Sequence, residues 1–178
     1  MLASRFLVLA ISAAIATAPN VARSQISLSI AGGVNAPVGA LGDLVDLGYN
    51  VAAGLNVGGS ALPIGLRFEG AYNGLRLKDN GGDVRIIAGT ANAVLNVGNT
   101  PNAPYLIAGL GAYNRRLNFD NLGSTSDKTV LGINGGGGLR FPLSGITTFF
   151  EARYHVMLGN RNDGTNYQFI PITFGILF

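Results

Sequence analysis

Beyond residue 25, apolar side chains recur at every second position, and the residues between them are small, polar or charged. Ile26, Leu28 and Ile30 alternate with Ser27, Ser29 and Ala31, and Tyr49, Val51, Ala53, Leu55 and Val57 alternate with Asn50, Ala52, Gly54, Asn56 and Gly58. A period of two belongs to a strand with unlike faces. The pattern returns in Ile64, Leu66, Phe68 and Tyr72 against Arg67, Glu69 and Asn73, and in Ala91, Ala93, Leu95 and Val97 against Asn92 and Asn96. It continues in Leu131, Ile133, Leu139 and Phe141 against Asn134 and Arg140, then in Phe150, Ala152, Tyr154 and Val156 against Glu151, Arg153 and His155. The last strand sets Ile170, Ile172, Phe174, Ile176 and Phe178 against Phe169, Pro171, Thr173, Gly175 and Leu177. Tyr105–Asn114 brings the expected count to eight, but both of its parities are apolar and its faces stay unassigned. Scattered glycine, 27 residues in all, works against helices at about 1 kcal/mol each relative to alanine.

Composition sharpens this reading. Only 12% of the 178 residues are charged and 48% are hydrophobic, against about 25% charged in an average globular chain. Mean hydropathy of +0.35 with a net charge of +3 is the opposite of a disordered chain. With no cysteine, a disulfide framework, thiolate metal sites and cysteine nucleophiles are excluded. After the amino-terminal segment, no run of 18 uncharged apolar residues marks a helical span. Strands must therefore absorb the hydrophobicity.

The amino terminus reads as a secretory signal peptide. Arg5 supplies the basic start, Phe6–Ala18 is apolar, and Ala22-Arg23-Ser24 carries small residues where a signal peptidase reads. Pro19, Asn20 and Arg23 close the stretch too early for a membrane helix of about 20 residues. The expected division is a signal peptide over 1–24 and a barrel domain over 25–178. Without Arg5 and Arg23, 10 basic residues face 9 acidic ones, so nothing points to nucleic acid as a partner.

The connections are asymmetric. Asn35–Leu47, Gly74–Asp83, Arg115–Asp127 and Leu158–Thr165 are long and charged, whereas Gly59–Pro63, Gly98–Pro104 and Pro142–Gly145 are short and uncharged. In an up-and-down meander the two sets lie at opposite ends, as in outer-membrane barrels with long external loops and short periplasmic turns. The expected fold is all-β: an eight-stranded antiparallel up-and-down transmembrane β-barrel, preceded by a cleavable signal peptide.

Particular segments add a resemblance. Gly33 with Pro37-Val-Gly-Ala-Leu-Gly-Asp43, Gly65–Tyr72, Pro104–Tyr113 and Phe150–His155 resemble the small eight-stranded bacterial outer-membrane β-barrel family that includes the OmpA membrane domain and OmpX. Ile170, Ile172, Phe174, Ile176 and the aromatic Phe178 resemble the carboxyl-terminal strand by which the barrel-assembly machinery takes up such proteins. The resemblance covers essentially all of 25–178. It implies a Gram-negative outer-membrane location, with membrane lipid and the assembly machinery as partners. Unlike OmpA, the chain shows no peptidoglycan-binding domain after the barrel, so anchoring to the cell wall is not implied.

Arg67, Glu69, Arg140, Glu151, Arg153 and His155 share the parity opposite the apolar stripe and are expected in the barrel interior. A lipid-facing Arg costs about 2–4 kcal/mol at the midplane, and an eight-stranded barrel is just wide enough for side chains to fill. These charges are expected to pair; an ion path or a gate of switching pairs is the functional alternative. A catalytic trio of His155, Glu151 and Arg153 lacks a serine in its strand, with Ser27 and Ser29 reachable only through barrel closure. The His-x-Ser-Asn run typical of deacylase barrels is replaced by His155-Val-Met-Leu-Gly. One histidine and no cysteine leave little for a metal, and no cofactor is expected. Gly135–Gly138 has no following helix to make a phosphate cradle. Tyr49, Phe68, Tyr72, Phe141, Phe150, Tyr154, Phe174 and Phe178 read as lipid-facing and girdle aromatics.

Arg76, Lys78, Arg115, Arg116, Asp120, Arg161 and Asp163 are expected as mixed charges of the external loops. The primary expectation is a non-enzymatic outer-membrane barrel with a structural or surface-interaction role through four long loops, minor pore activity left open. A lipid-modifying outer-membrane enzyme is one alternative. A soluble lipocalin-like periplasmic barrel, apolar inside and polar outside, is the other.

Overall fold

The computed structural model describes residues 25–58, 64–78, 81–98, 102, 104–119, 123–159 and 166–178; the expected signal peptide lies outside them. The alternating segments form eight strands: β1 (Gln25–Val38), β2 (Gly48–Gly58), β3 (Ile64–Arg76), β4 (Gly82–Asn96), β5 (Pro104–Phe119), β6 (Gly123–Leu143), β7 (Ile146–Met157) and β8 (Tyr167–Leu177). A single helical turn, α1 (Gly39–Gly42), follows β1. Each strand pairs antiparallel with the next, and β8 returns to pair with β1 in the register Ser29↔Leu177 to Val38↔Gln168. Closure removes the exposed edges that would otherwise template aggregation.

Side-chain period two now becomes an inside and an outside. Leu110 is 66% exposed, Leu131 70% and Phe174 57%, whereas Arg67 is 0% and Glu151 1% exposed. The apolar parity therefore faces outward. The lipocalin-like alternative requires the reverse and is overturned by this placement. On β3 the outward apolar run from Ile64 to Tyr72 covers nine residues, which at about 3.3 Å per residue and a tilt of about 40° gives roughly 20–23 Å of height. That is close to the apolar band of about 25 Å on transmembrane barrels. Tyr49 and Tyr72 stack at 5.9 Å on the outer wall near the end of this run.

Strand lengths at the loop end differ from the sequence reading. β1 runs on to Val38, and β5 and β6 remain paired from Arg115↔Lys128 up to Phe119↔Gly123 across a bulge. Arg115 and Arg116, expected in a loop, are thus strand residues. The appearance of charge marks where the wall leaves the apolar band; it does not end the backbone ladder, which still satisfies its hydrogen bonds in water. β5 also acquires its faces: Tyr105, Ile107 and Tyr113 are buried inside, while Leu106 and Leu110 point out.

The glycine run of β6 has a specific cause. A Cβ at inward-facing Gly138 would lie 2.5 Å from the Tyr105 ring, and one at Gly132 would lie 2.7 Å from the Tyr113 ring. Bare backbone on β6 makes room for two inward tyrosines of β5. The uncharged connection between β6 and β7 closes through Ser144 and Gly145, with Gly145 at φ +92°, a left-handed conformation that glycine adopts readily.

Candidate functional site

The lumen is layered. At its centre Arg67 and Glu69 of β3 face Glu151 and Arg153 of β7, which lie half the ring away. Arg67 Nη1 donates to Glu151 Oε2 at 2.7 Å, and Arg153 Nε pairs with Glu151 Oε1 at 2.8 Å. Arg153 also donates to Glu69, and Arg67 stands 4.0 Å from Glu69, so the four charges close a ring. Tyr105 donates its hydroxyl to Glu151 Oε2 at 2.6 Å. The Arg67 guanidinium sits 5.3 Å from the Phe149 ring centroid, and its Nε donates to Asn56 Oδ1 at 2.8 Å. Four charges of zero net sign, nearly dry, thus brace the barrel across its diameter. Removing one member of such a set typically costs about 3–5 kcal/mol, because the remaining charges stay buried without a partner.

Above the ring, Asn73 Oδ1 accepts from Asn35 at 2.9 Å and from Asn50 at 2.7 Å, and Asn73 donates to the Ile86 carbonyl at 3.1 Å. His155 sits in the same upper half. Its Nδ1 lies 2.9 Å from the Tyr113 hydroxyl, and its ring stacks on Phe169 at 4.8 Å. His155 is therefore not joined to Glu151 and Arg153, which pair with each other and with Arg67 and Glu69 in the ring. Ser29 donates to the Gly54 carbonyl and accepts from Asn56. Both His155 and Pro37 of β1 are in register with Phe169, and Ser29 lies eight residues down β1 from Pro37, about 26 Å at 3.3 Å per residue. Among the described residues, the alternative catalytic trio of His155, Glu151 and Arg153 is therefore not brought together with Ser29.

The loop end of the lumen is apolar. Leu41 and Val45, each 1% exposed, fold inward from the first connection and pack with Leu75, Val84, Ile86, Met157 and Phe169. Val45 bridges Leu77, Asp46 donates its backbone N–H to the Arg76 carbonyl at 2.8 Å, and Lys78 Nζ donates to the Gly42 carbonyl at 2.6 Å. The first connection, expected to be wholly external, is thus partly a plug. Its signal in the sequence is two aliphatics, Leu41 and Val45, four apart beside a helical turn.

The remaining expected site residues fall in three places. Arg140 points into the lumen at the turn end, where Nη1 donates to Asn96 Oδ1 at 2.5 Å and the guanidinium lies 4.6 Å from the Tyr105 ring centroid. Arg76 ends β3 and is exposed, Arg115 covers the Tyr167 ring at 4.2 Å, and Arg116 stands opposite Arg85 on β4. Asp120, Arg161 and Asp163 lie outside the described residues. Ile170, Ile172, Phe174 and Ile176 form the outward face of β8, and Phe178 follows it, 57% exposed. Among the described residues no group of three or more histidine, aspartate or glutamate side chains comes together to hold a metal.

An apolar outer wall of membrane height around a lumen of paired charge defines a class: a closed, eight-stranded antiparallel transmembrane β-barrel. No protein-family model matches the chain, and neither does any curated protein. Among solved structures it is similar to Neisserial surface protein A, at 18% identity over 85% of this chain and 95% of that one, with a TM-score of 0.68. It is also similar to Ail, the attachment invasion locus protein of Yersinia pestis, at 17% identity over 88% of this chain and 99% of that one, with a TM-score of 0.54. At such identities the likeness is one of fold.

Proposed function

We propose that this protein is a non-enzymatic integral barrel of the bacterial outer membrane that acts through its loop end, its interior serving as a brace. The carrying observation is the inversion of faces: large apolar side chains all round the outside, and Arg67, Glu69, Glu151 and Arg153 paired inside. A contiguous apolar wall of this extent is unsuited to water and matches lipid. Neisserial surface protein A is a surface protein by name and Ail an attachment and invasion protein, which supports a surface role for the same fold here. The ring across the lumen and the apolar plug above it favour a structural interior over a conducting one. His155, held between Tyr113 and Phe169, favours the non-enzymatic reading. The outward aliphatics of β8 ending at Phe178 are the face we assign to the assembly machinery during insertion.

The chain has no cysteine, so single cysteines report orientation cleanly. With Lys78→Cys and Ser144→Cys expressed in a Gram-negative host, a membrane-impermeant maleimide added to whole cells labels the first and reaches the second only after the outer membrane is permeabilised. Recovery of the protein in the soluble periplasmic fraction, or labelling of Ser144→Cys alone in intact cells, contradicts the reading.

A further inference from the structure

The turn end of the lumen is built unlike the rest. Below the charge ring lies a cavity of about 700 Å³, within the range of about 300–1,000 Å³ typical of small-molecule sites. Among the described residues, Arg140 is the one charged side chain on its lining; Asn56, Asn96 and Thr147 add polar groups, and Val94, Leu143 and Leu177 give it an apolar wall. The ion pairs of the ring above are made without Arg140: Glu151 is held by Arg67, Arg153 and Tyr105, and Glu69 by Arg153, although Arg67 Nη2 and Arg153 Nη1 also stay buried without a hydrogen-bond partner. No ion pair found among the described residues takes in Arg140. Its guanidinium donates to Asn96, lies over the Tyr105 ring, and keeps Nε buried without a partner. A cation in a pocket open at the turn end, with so few acceptors, favours an anion brought from outside, since charge-assisted bonds to a guanidinium are roughly twice as strong as neutral ones. Phe178, which also lines the cavity, is tied to Leu28 of β1 by backbone bonds of 2.8 and 2.9 Å.

We propose that this cavity binds an aliphatic monocarboxylate, with its carboxylate on Arg140 and Asn96 and its chain along Val94, Leu143 and Leu177. Arg140, which among the described residues forms no ion pair with the terminal carboxylate of Phe178 on the same lining, matches one negative charge, and the apolar wall selects a chain over a bare ion. The carboxylate comes either from a free acid or from the end of a peptide.

The test uses the full barrel in nanodiscs of zwitterionic lipid, with hexanoate titrated below its micellar range and the Arg140 Nε–H and Asn96 amide followed by ¹⁵N NMR. Hexanoate produces saturable shifts at both, at least about tenfold tighter than acetate, since burial of only two of its four extra methylenes at about 0.8 kcal/mol each supplies that factor, and hexanol produces none. N-acetyl-leucine replaces hexanoate as the tighter ligand if the source is a peptide terminus. Arg140→Gln abolishes the saturable shift at Asn96, and Arg140→Lys, which keeps the charge, retains part of it and guards against a folding defect in the first variant. Shifts that do not saturate, that survive Arg140→Gln, or that are equal for acetate and hexanoate overturn the proposal.

Discussion

The two ends of the lumen solve opposite problems. At the loop end the chain turns back on itself: Leu41 and Val45 fill the mouth, and Asn35 and Asn50 both donate to Asn73, leaving Asn35 Oδ1 buried without a partner beneath the apolar plug. At the turn end the mouth holds a cavity and one arginine that no carboxylate among the described residues claims. Arg67 and Arg140 make the contrast concrete, because both face inward and both lie near Tyr105. Arg67 is fully buried and tied to Glu151; Arg140 is half-buried and donates to an amide. A shared face therefore gives two arginines a common location without a common role. Partner and depth decide whether the charge is structural.

Breaking the centre of the lumen should have the largest effect. Glu151→Ala leaves Arg67 and Arg153 short of their shared carboxylate and should lower stability by about 3–5 kcal/mol, read as a shift in urea midpoint for the barrel folded in lipid vesicles. An unchanged midpoint would mean that the ring contributes no net brace. Leu41→Ala, which empties the plug, should cost about 2–3 kcal/mol and speed amide exchange over residues 39–45 while leaving the ring protected. Uniform loss of protection throughout the barrel would deny that the plug is a separate layer. Gly138→Ala drives a methyl group into the Tyr105 ring and should cost about 1–2 kcal/mol; the same change at outward-facing Gly89, where a Cβ meets nothing within 4 Å, is the control and should be near neutral. Smallest of all, Arg140→Gln should move the midpoint by less than about 1 kcal/mol, as expected when a partly exposed charge without an ion-pair partner is removed. A loss as large as that of Glu151→Ala would erase the distinction between the two ends.

Much of this architecture was legible in the residues. Strict alternation in β2, β3 and β7 assigned their faces, because a one-residue slip in register moves the whole apolar set to the wrong side. Parity alone put Arg67, Glu69, Arg140, Glu151, Arg153 and His155 on one face. Pairing was not legible: Arg67 and Glu151 are 84 positions apart, and nothing local ties them together. β5 stayed ambiguous because Tyr105, Ile107 and Tyr113 inside are as apolar as Leu106 and Leu110 outside; the glycines of β6 carried the missing signal, as space for the two tyrosines. At the loop end, the onset of charge predicts the end of a strand, yet the β5–β6 ladder continues past Arg115 and Arg116, since water tolerates any side chain on a paired backbone. Leu41 and Val45 were hidden in a segment judged by its charge.

The inversion of faces is the central claim, and spin labels on single cysteines test it most directly. Labels at Leu66, Phe68 and Leu110 in the barrel reconstituted into bilayers should collide frequently with oxygen, which concentrates in lipid, and rarely with a water-soluble nickel chelate. Labels at Arg76 and Lys78 should show the reverse. High nickel accessibility at Leu66, Phe68 and Leu110 would contradict the account, because it would place the apolar wall in water.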